Sequence, residues 1–279
     1  MGRTLILPGV FWLVLCRCAL GGQWVDVRVV GPLVIRAEFP LDRYEPLCRE
    51  LAALQDDLVR QLGIPRAEER IEIYLFADRR SYTINMQQYM PEMPARRALY
   101  VKQDGPGRVL AYRDEHLATD LRHETTHALL HAVLPMVPLW LDEGLAEYFE
   151  VPRERRVSGS EYMSAVRWSA RLGVATEMSH LERLGEAAEM DAAQYQAAWA
   201  WVHFMLNGPV PAREELIDYL ADLRERRRGG PLSSRLAGRL DDPAASLKQH
   251  FRQARWSAEA PPPEAGQGRA FFRLPILSR

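Results

Sequence analysis

The chain has little cysteine and no excess of charge of either sign. It carries 3 cysteines in 279 residues, and two of them, Cys16 and Cys18, lie close to the N-terminus. If that segment is removed only Cys48 remains, and a single cysteine cannot form an internal disulfide. The 36 basic and 37 acidic residues give a net charge of −1. The bulk charge therefore gives no reason to expect nucleic acid as a partner.

Long apolar runs are also scarce, and the one at the N-terminus is short for a membrane span. Residues 5–15 are mostly apolar, follow the single positive charge of Arg3, and precede small residues at 19, 21 and 22. This is the layout of a secretory signal peptide. We therefore expect residues 1–22 to be a signal peptide and the mature protein to be secreted or periplasmic. An uncleaved signal anchor is the alternative, and only then is membrane contact expected.

The chain as a whole has an ordinary globular composition, 47% apolar and 26% charged. Alternating apolar residues predict hairpins over 24–39 and 96–115 and a strand over 70–77. Leucines at helical spacing predict a helix over 44–63 that buries Cys48, and a short helix is expected over 81–90. From residue 117 onward the pattern is helical. Helices are predicted over 118–134, 141–150, 160–172, 191–207, 212–227 and 244–255.

These patterns predict an α+β fold, in which a small N-terminal mixed sheet with a helix precedes a mostly helical portion. The last hairpin of the first portion is expected to form the edge strand of a cleft, and the two portions are expected to form one domain. The predicted divisions are a signal peptide at 1–22, an α/β portion at 23–116, a helical portion at 117–256 and a Pro/Gly-rich tail at 257–279. The patterns predict no oligomeric state.

One stretch of the helical portion, ATDLRHETTHALLHAVLPMVPLWLDEGLAEYFE at 118–150, carries histidines at helical spacing. Positions i and i+4 lie on one face of a helix, so His123 and His127 are expected to point the same way and hold one zinc ion. Glu124 lies at the edge of that face, where it reaches a water without being a ligand. A row of surface histidines is the alternative. His131, one turn further, is consistent with both interpretations.

A catalytic zinc needs a third protein ligand and one open position. A third histidine six residues after the second is excluded, because Val133 occupies that place. Glu143 is the predicted ligand, since Pro135 and Pro138 end the first helix and let the chain turn back. Glu147, one turn further on the same face, is predicted to accept a hydrogen bond from the second nitrogen of a ligand histidine.

The segments HETTH and PLWLDEGLAEYFE resemble the gluzincin metallopeptidases of the peptidase MA-like clan. Within them, Trp-Leu-x-Glu-Gly-x-Ala is similar to the ligand helix of the aminopeptidase N-like branch. The close resemblance covers 117–150, and YQAAWAWVHFMLNG resembles a helix of small exported bacterial peptidase-MA-like proteins. The resemblance implies a zincin-type catalytic portion with one Zn²⁺ per chain. It implies His123, His127 and Glu143 as ligands and Glu124 as general base.

The resemblance further implies a tyrosine or histidine that stabilises the oxyanion formed during hydrolysis. Tyr195 is the first candidate and His203 the second, and a place in the core is the alternative for Tyr195. The Gly-x-Met-Glu-Asn segment that reads a free amino terminus in the aminopeptidase branch is missing before His123. The resemblance therefore does not imply exopeptidase specificity.

Three functions follow from these residues. We favour an exported zinc-dependent peptidase that acts on peptide or protein substrates, because a purely structural zinc site has no need of Glu124 as a base. The second is a catalytically inactive binding module that retains a structural zinc. The third is a zinc hydrolase of non-peptide amides or esters, for which the same attack by water would serve.

Overall fold

The computed structural model describes residues 24–91, 96–102, 105–185, 190–227 and 229–253. The predicted signal peptide and C-terminal tail lie outside these ranges. Within them, a mixed sheet near the N-terminus is followed by a mostly helical region, which confirms the predicted α+β fold. None of the helices in these ranges is both long and apolar enough to cross a membrane.

The sheet has five strands within the described ranges, in the order β1-β2-β3-β5-β4. The outer pairs are the two predicted hairpins and are antiparallel, whereas β2–β3 and β3–β5 are parallel. Gly31 has φ 58°, which allows the tight turn of the first hairpin. In this order β4 is an edge strand, as predicted for the second hairpin. The strands are β1 (Asp26–Val30), β2 (Leu33–Ala37), β3 (Ile71–Phe76), β4 (Ala98–Val101) and β5 (Gly107–Tyr112).

The predicted helices are present with shifted ends. Two of them, α4 and α8, begin two residues before the predicted position, because Pro138 and Pro209 act as N-caps and a proline at a helix start removes no hydrogen bond. The short helices α6 and α9 were not predicted. The helices are α1 (Glu45–Leu62), α2 (Arg79–Tyr89), α3 (Leu117–Val133), α4 (Leu139–Phe149), α5 (Met163–Arg171), α6 (Met178–Leu181), α7 (Ala192–Asn207), α8 (Val210–Arg224), α9 (Leu232–Ala237) and α10 (Pro243–Gln253).

One hydrophobic core joins the sheet to the helical part, since its buried residues run from Leu33 in β2 to Phe251 in α10. Cys48 belongs to this core with 3% of its surface exposed, as predicted from the leucine spacing of α1. An ion pair of 2.9 Å between the buried side chains of Asp57 and Arg156 links α1 to the segment after α4. Helix α3, which carries the predicted ligands His123 and His127, packs directly against β4 and β5 as well as against α1.

Helix α4 packs closely against α7 at Gly144. A Cβ atom at this position would lie 2.7 Å from the carbonyl oxygen of Ala198 and 3.0 Å from Cγ2 of Val202. Only glycine therefore allows the two helices to approach this closely. Because Gly144 follows Glu143 directly, this contact also fixes where the predicted third ligand lies.

Candidate metal centre

Helices α3 and α4 run antiparallel and bring a row of histidines against a row of acids. His131 contacts Asp142, and His123, two turns earlier in α3, contacts Glu150 at the far end of α4. The connection between the helices is short because α3 ends at Val133 and α4 begins at Leu139. Every acid of α4, as well as Glu150, is nearly excluded from solvent. Buried carboxylates of this kind need a cation or hydrogen-bond donors.

His123, His127 and Glu143 converge, as predicted. The Nε2 atoms of His123 and His127 are 3.2 Å apart, and Oε2 of Glu143 lies 3.5 and 3.7 Å from them. These three ligand atoms form one of the groups that could hold a metal ion. Atoms bound to a tetrahedral zinc at about 2.0–2.1 Å are about 3.3 Å from one another. The observed separations therefore fit three corners of a zinc tetrahedron.

The second ring nitrogens of both histidines face carboxylates. Nδ1 of His123 is 2.9 Å from Oε2 of Glu150, and Nδ1 of His127 is 3.0 Å from Oδ1 of Asp142, although the latter N–H does not point directly at the oxygen. A carboxylate at Nδ1 favours the proton there and leaves the Nε2 lone pair for a metal. Both candidate ligand histidines thus have a carboxylate beside Nδ1, where a zinc site would have a supporting acceptor.

The sequence predicts Glu147 for this supporting role, and Asp142 and Glu150 are acids that lie against the Nδ1 atoms of the two histidines. The reason is the direction of the two helices: His123 lies opposite the C-terminal end of α4, where Glu150 is reached two turns after Glu143. Glu147 lies in the same cluster, with a carboxylate oxygen within 4.8 Å of ligand atoms of His123 and Glu150. Helical spacing thus identifies the face of α4 that carries these acids, and the role given to Glu147 stays a prediction.

The cluster favours a bound positive charge. Burial by itself lowers the pKa of His123, but hydrogen bonds to Glu143 and Glu150 outweigh this effect. As a result, the pKa of His123 is raised well above its ordinary value of 6.5. A proton and a metal ion therefore compete for the same atoms, as expected where histidine and carboxylate ligands converge.

Glu124 lies at the edge of the ligand face. Its Oε2 accepts a hydrogen bond of 2.7 Å from the backbone N–H of Tyr100 in β4. Glu124 belongs to none of the possible ligand groups in the described part of the chain, and its side chain is half-buried. This position, beside the ligands and against the edge strand, is the one expected of a base.

The two residues considered for the oxyanion have different surroundings. Tyr195 is 4% exposed and belongs to the main core, on the first turn of α7. His203 is fully buried, with Nε2 2.9 Å from the carbonyl oxygen of Val157 and Nδ1 3.1 Å from Nε2 of His250. Both ring nitrogens of His203 are thus engaged within the protein. Burial lowers the pKa of His203 and of His250 to about 4, so the pair is neutral near pH 7.

Two further groups of possible ligands overlap the first. One combines His127 with His131 and Asp142, and the other combines His123 with Glu147 and Glu150. Each shares a histidine with the central group. In the first group Nδ1 of His127 lies 3.0 Å from Asp142, and in the second Nδ1 of His123 lies 2.9 Å from Glu150. These are the contacts expected of carboxylates that support the ligands of a single centre.

A family model described as a protein of unknown function, DUF1570, matches residues 117–229, which include α3, α4 and α7. The chain matches no curated protein.

The chain is also similar in part to several solved structures. One is an M1 zinc metallopeptidase from Deinococcus radiodurans, with 16% sequence identity and a TM-score of 0.47 over 82% of this chain and 51% of that one. Another is a mutant of a two-domain M1 zinc metallopeptidase bound to L-tryptophan, with 16% identity and a TM-score of 0.46 over 84% and 52%. The chain spans about half the length of these proteins.

Proposed function

We propose that the protein is an exported zinc-dependent peptidase. In this proposal His123, His127 and Glu143 hold one Zn²⁺ and Glu124 is the general base. The supporting observation is the convergence of the three ligand atoms within 3.7 Å of one another, with a carboxylate that is not a ligand on the same helix. A purely structural zinc site needs no general base.

Zinc, when bound, supplies Lewis acidity that makes water a stronger acid and a carbonyl carbon a better electrophile. Glu124 accepts a proton from the attacking water as the water oxygen bonds to the peptide carbonyl carbon. It then returns the proton to the amide nitrogen as the C–N bond breaks, which gives an amine and a carboxylic acid; the acid then loses its proton to the amine or to solvent. The hydrogen bond from Tyr100 orients the carboxylate for both transfers.

The edge strand β4 offers a place for the substrate backbone. In the described sheet β4 is hydrogen-bonded on one side only, to β5, and an extended peptide can add to such an edge. Because Tyr100 of β4 contacts Glu124, a peptide along this edge would lie beside the base. Tyr195 remains our proposed oxyanion donor, and replacing it with phenylalanine would lower kcat more than it changes KM.

The activity is tested with a peptide library and the full chain, purified without chelator or metal-affinity resin. Cleavage by the wild type, its loss after chelation, its return with zinc and its absence in Glu124→Gln would support the proposal. Equal turnover by Glu124→Gln would exclude Glu124 as the base. Binding of zinc without cleavage of any peptide would favour the binding module, or the hydrolase of other amides and esters.

Export is tested separately, by sequencing the amino terminus of the protein recovered from its natural host. A terminus near residue 23 in the secreted or periplasmic fraction would support removal of a signal peptide. An intact N-terminus in the membrane fraction would support the signal anchor instead.

A further inference from the structure

His131, the third histidine of the row in α3, is not a ligand in the proposed zinc site. Its side chain is nevertheless held by contacts with its neighbours. Its side chain is 9% exposed, and its Nε2 lies 3.0 Å from Oδ2 of Asp142 with hydrogen-bond geometry. The carboxylate of Asp142 is itself 1% exposed. A buried carboxylate needs its hydrogen-bond donors, because an unsatisfied one is costly.

Asp142 connects His131 to a proposed zinc ligand. Its Oδ1 lies 3.0 Å from Nδ1 of His127, so one carboxylate is in contact with both rings. The contact with His127 is out of line, whereas the bond from His131 is well formed. The bond from His131 therefore fixes the plane of the Asp142 carboxylate, and that plane sets how Asp142 meets His127.

The His131 side chain is held in turn by the edge strand. The ring of Tyr100 stacks on that of His131, with centroids 5.7 Å apart and planes at 19°. The backbone of His131 is fixed as well, since Nζ of Lys102 donates to its carbonyl oxygen at 3.3 Å. Tyr100 thus contacts His131 through its ring and Glu124 through its backbone N–H.

We infer that His131 is a positioning residue of the metal centre, which acts through Asp142 to hold the His127 ring in its ligating orientation. This rests on the proposed function only in taking His127 as a ligand. His131 donates from Nε2–H to Asp142, Asp142 favours the proton on Nδ1 of His127, and Nε2 of His127 keeps its lone pair for zinc.

A second metal ion held by His127, His131 and Asp142 is the competing explanation, since these residues form a possible ligand group. Such an ion would use Nδ1 of His127, so both nitrogens of one ring would bind metals and the ring would have to lose its remaining proton. The hydrogen-bonded arrangement needs no such step. The observations therefore favour a positioning role.

Two variants separate the hydrogen bond from packing. His131→Phe keeps the ring stacked on Tyr100 but removes the donor to Asp142, whereas His131→Gln places an amide N–H where Nε2–H was. We expect zinc to bind about 10–100-fold more weakly to H131F and close to wild type to H131Q, measured by competition with a chromophoric chelator. Wild-type affinity in H131F, or equal weakening in both variants, would overturn the inference, as would two zinc ions per wild-type chain.

Asp142→Asn provides a second variant in case H131F does not fold. Its single amide oxygen must serve two donors, so zinc binding is expected to weaken by the same range; unchanged affinity would overturn the inference. The readout separates the two claims. If the wild type binds one zinc and cleaves no peptide, the proposed function fails while the split between H131F and H131Q still supports the inference. If peptides are cleaved and the variants share one affinity, only the inference fails.

Discussion

The backbone N–H of Tyr100 donates a hydrogen bond of 2.7 Å to Oε2 of Glu124, so the edge strand β4 contacts the proposed base directly. The candidate centre is therefore built by both parts of the chain: the sheet contacts the proposed base, and α3 and α4 carry the candidate ligands. Changes in β4 should consequently affect activity through the proposed base, and changes in α4 should affect it through the binding of zinc.

Replacing Glu124 with glutamine is expected to abolish hydrolysis and leave zinc bound. The amide oxygen of the glutamine still accepts the N–H of Tyr100, so the fold should be unchanged, but the amide cannot take a proton from water. Loss of a general base lowers turnover by about 10²–10⁴-fold. Rates on a cleaved peptide, with zinc content and melting temperature as controls, check this. Retained turnover would exclude Glu124 as the base.

The acids of α4 are expected to differ in their effect on zinc. Glu143→Ala removes a ligand and should abolish stoichiometric binding, whereas Glu150→Ala removes only the acceptor at Nδ1 of His123 and should weaken binding about 10–100-fold. Chelator competition on both variants measures this. If Glu143→Ala bound zinc as the wild type does, the third ligand would have to be another acid, with Glu147 the next to test.

Gly144→Ala is expected to destabilise the protein by about 1–3 kcal/mol and to lower its zinc affinity. The added methyl group would lie 2.7 Å from the carbonyl oxygen of Ala198, so α4 must move away from α7 and carry Glu143 with it. Urea denaturation and zinc titration test this. Gly185→Ala is the control, because a Cβ there meets nothing within 4 Å. Equal stability of the two variants would contradict the close contact.

Because of the buried pair of His203 and His250, the free energy of unfolding is expected to decrease in acid. Both have a pKa of about 4 in the folded protein, against an ordinary value of 6.5. Between these values the unfolded chain binds more protons, so stability is complete above about pH 6.5 and falls as the pH drops towards 4. The pKa difference at His203 alone lowers the free energy of unfolding by on the order of 3 kcal/mol once the pH has fallen to about 4.

The matched variant for this effect is His250→Gln, whose amide N–H replaces the Nε2–H donated to His203 and does not titrate. Urea denaturation of the chelated protein at pH 5 and pH 7.5 should show a smaller loss of stability in the variant than in the wild type. An identical pH dependence would mean that His250 does not contribute.

The sequence predicted the features that depend on local spacing. The i, i+4 pair of His123 and His127 and the face that carries Glu143 follow from the helical period, and the three side chains converge. The hairpins were predicted because each is closed by a short turn. The order of the strands was not, since β3 pairs with β2 and β5 across long connections.

The supporting residues could not be selected from spacing alone. Glu147 and Glu150 lie on the same side of α4, and the antiparallel alignment with α3 decides which of them meets His123. Asp142 is adjacent to Glu143 in the sequence and therefore does not lie on the same helical face. An argument from helical spacing alone passes it over. The short helices α6 and α9 were missed because one or two turns are too few to show a period.

The most direct test of the zinc centre is the amount of zinc per chain, measured by elemental analysis on protein purified without chelator or metal-affinity resin. The convergence of His123, His127 and Glu143 predicts close to one zinc per wild-type chain, and far less in Glu143→Ala. No zinc in the wild type, even after reconstitution with the metal, would contradict the assignment of these three residues as a metal centre.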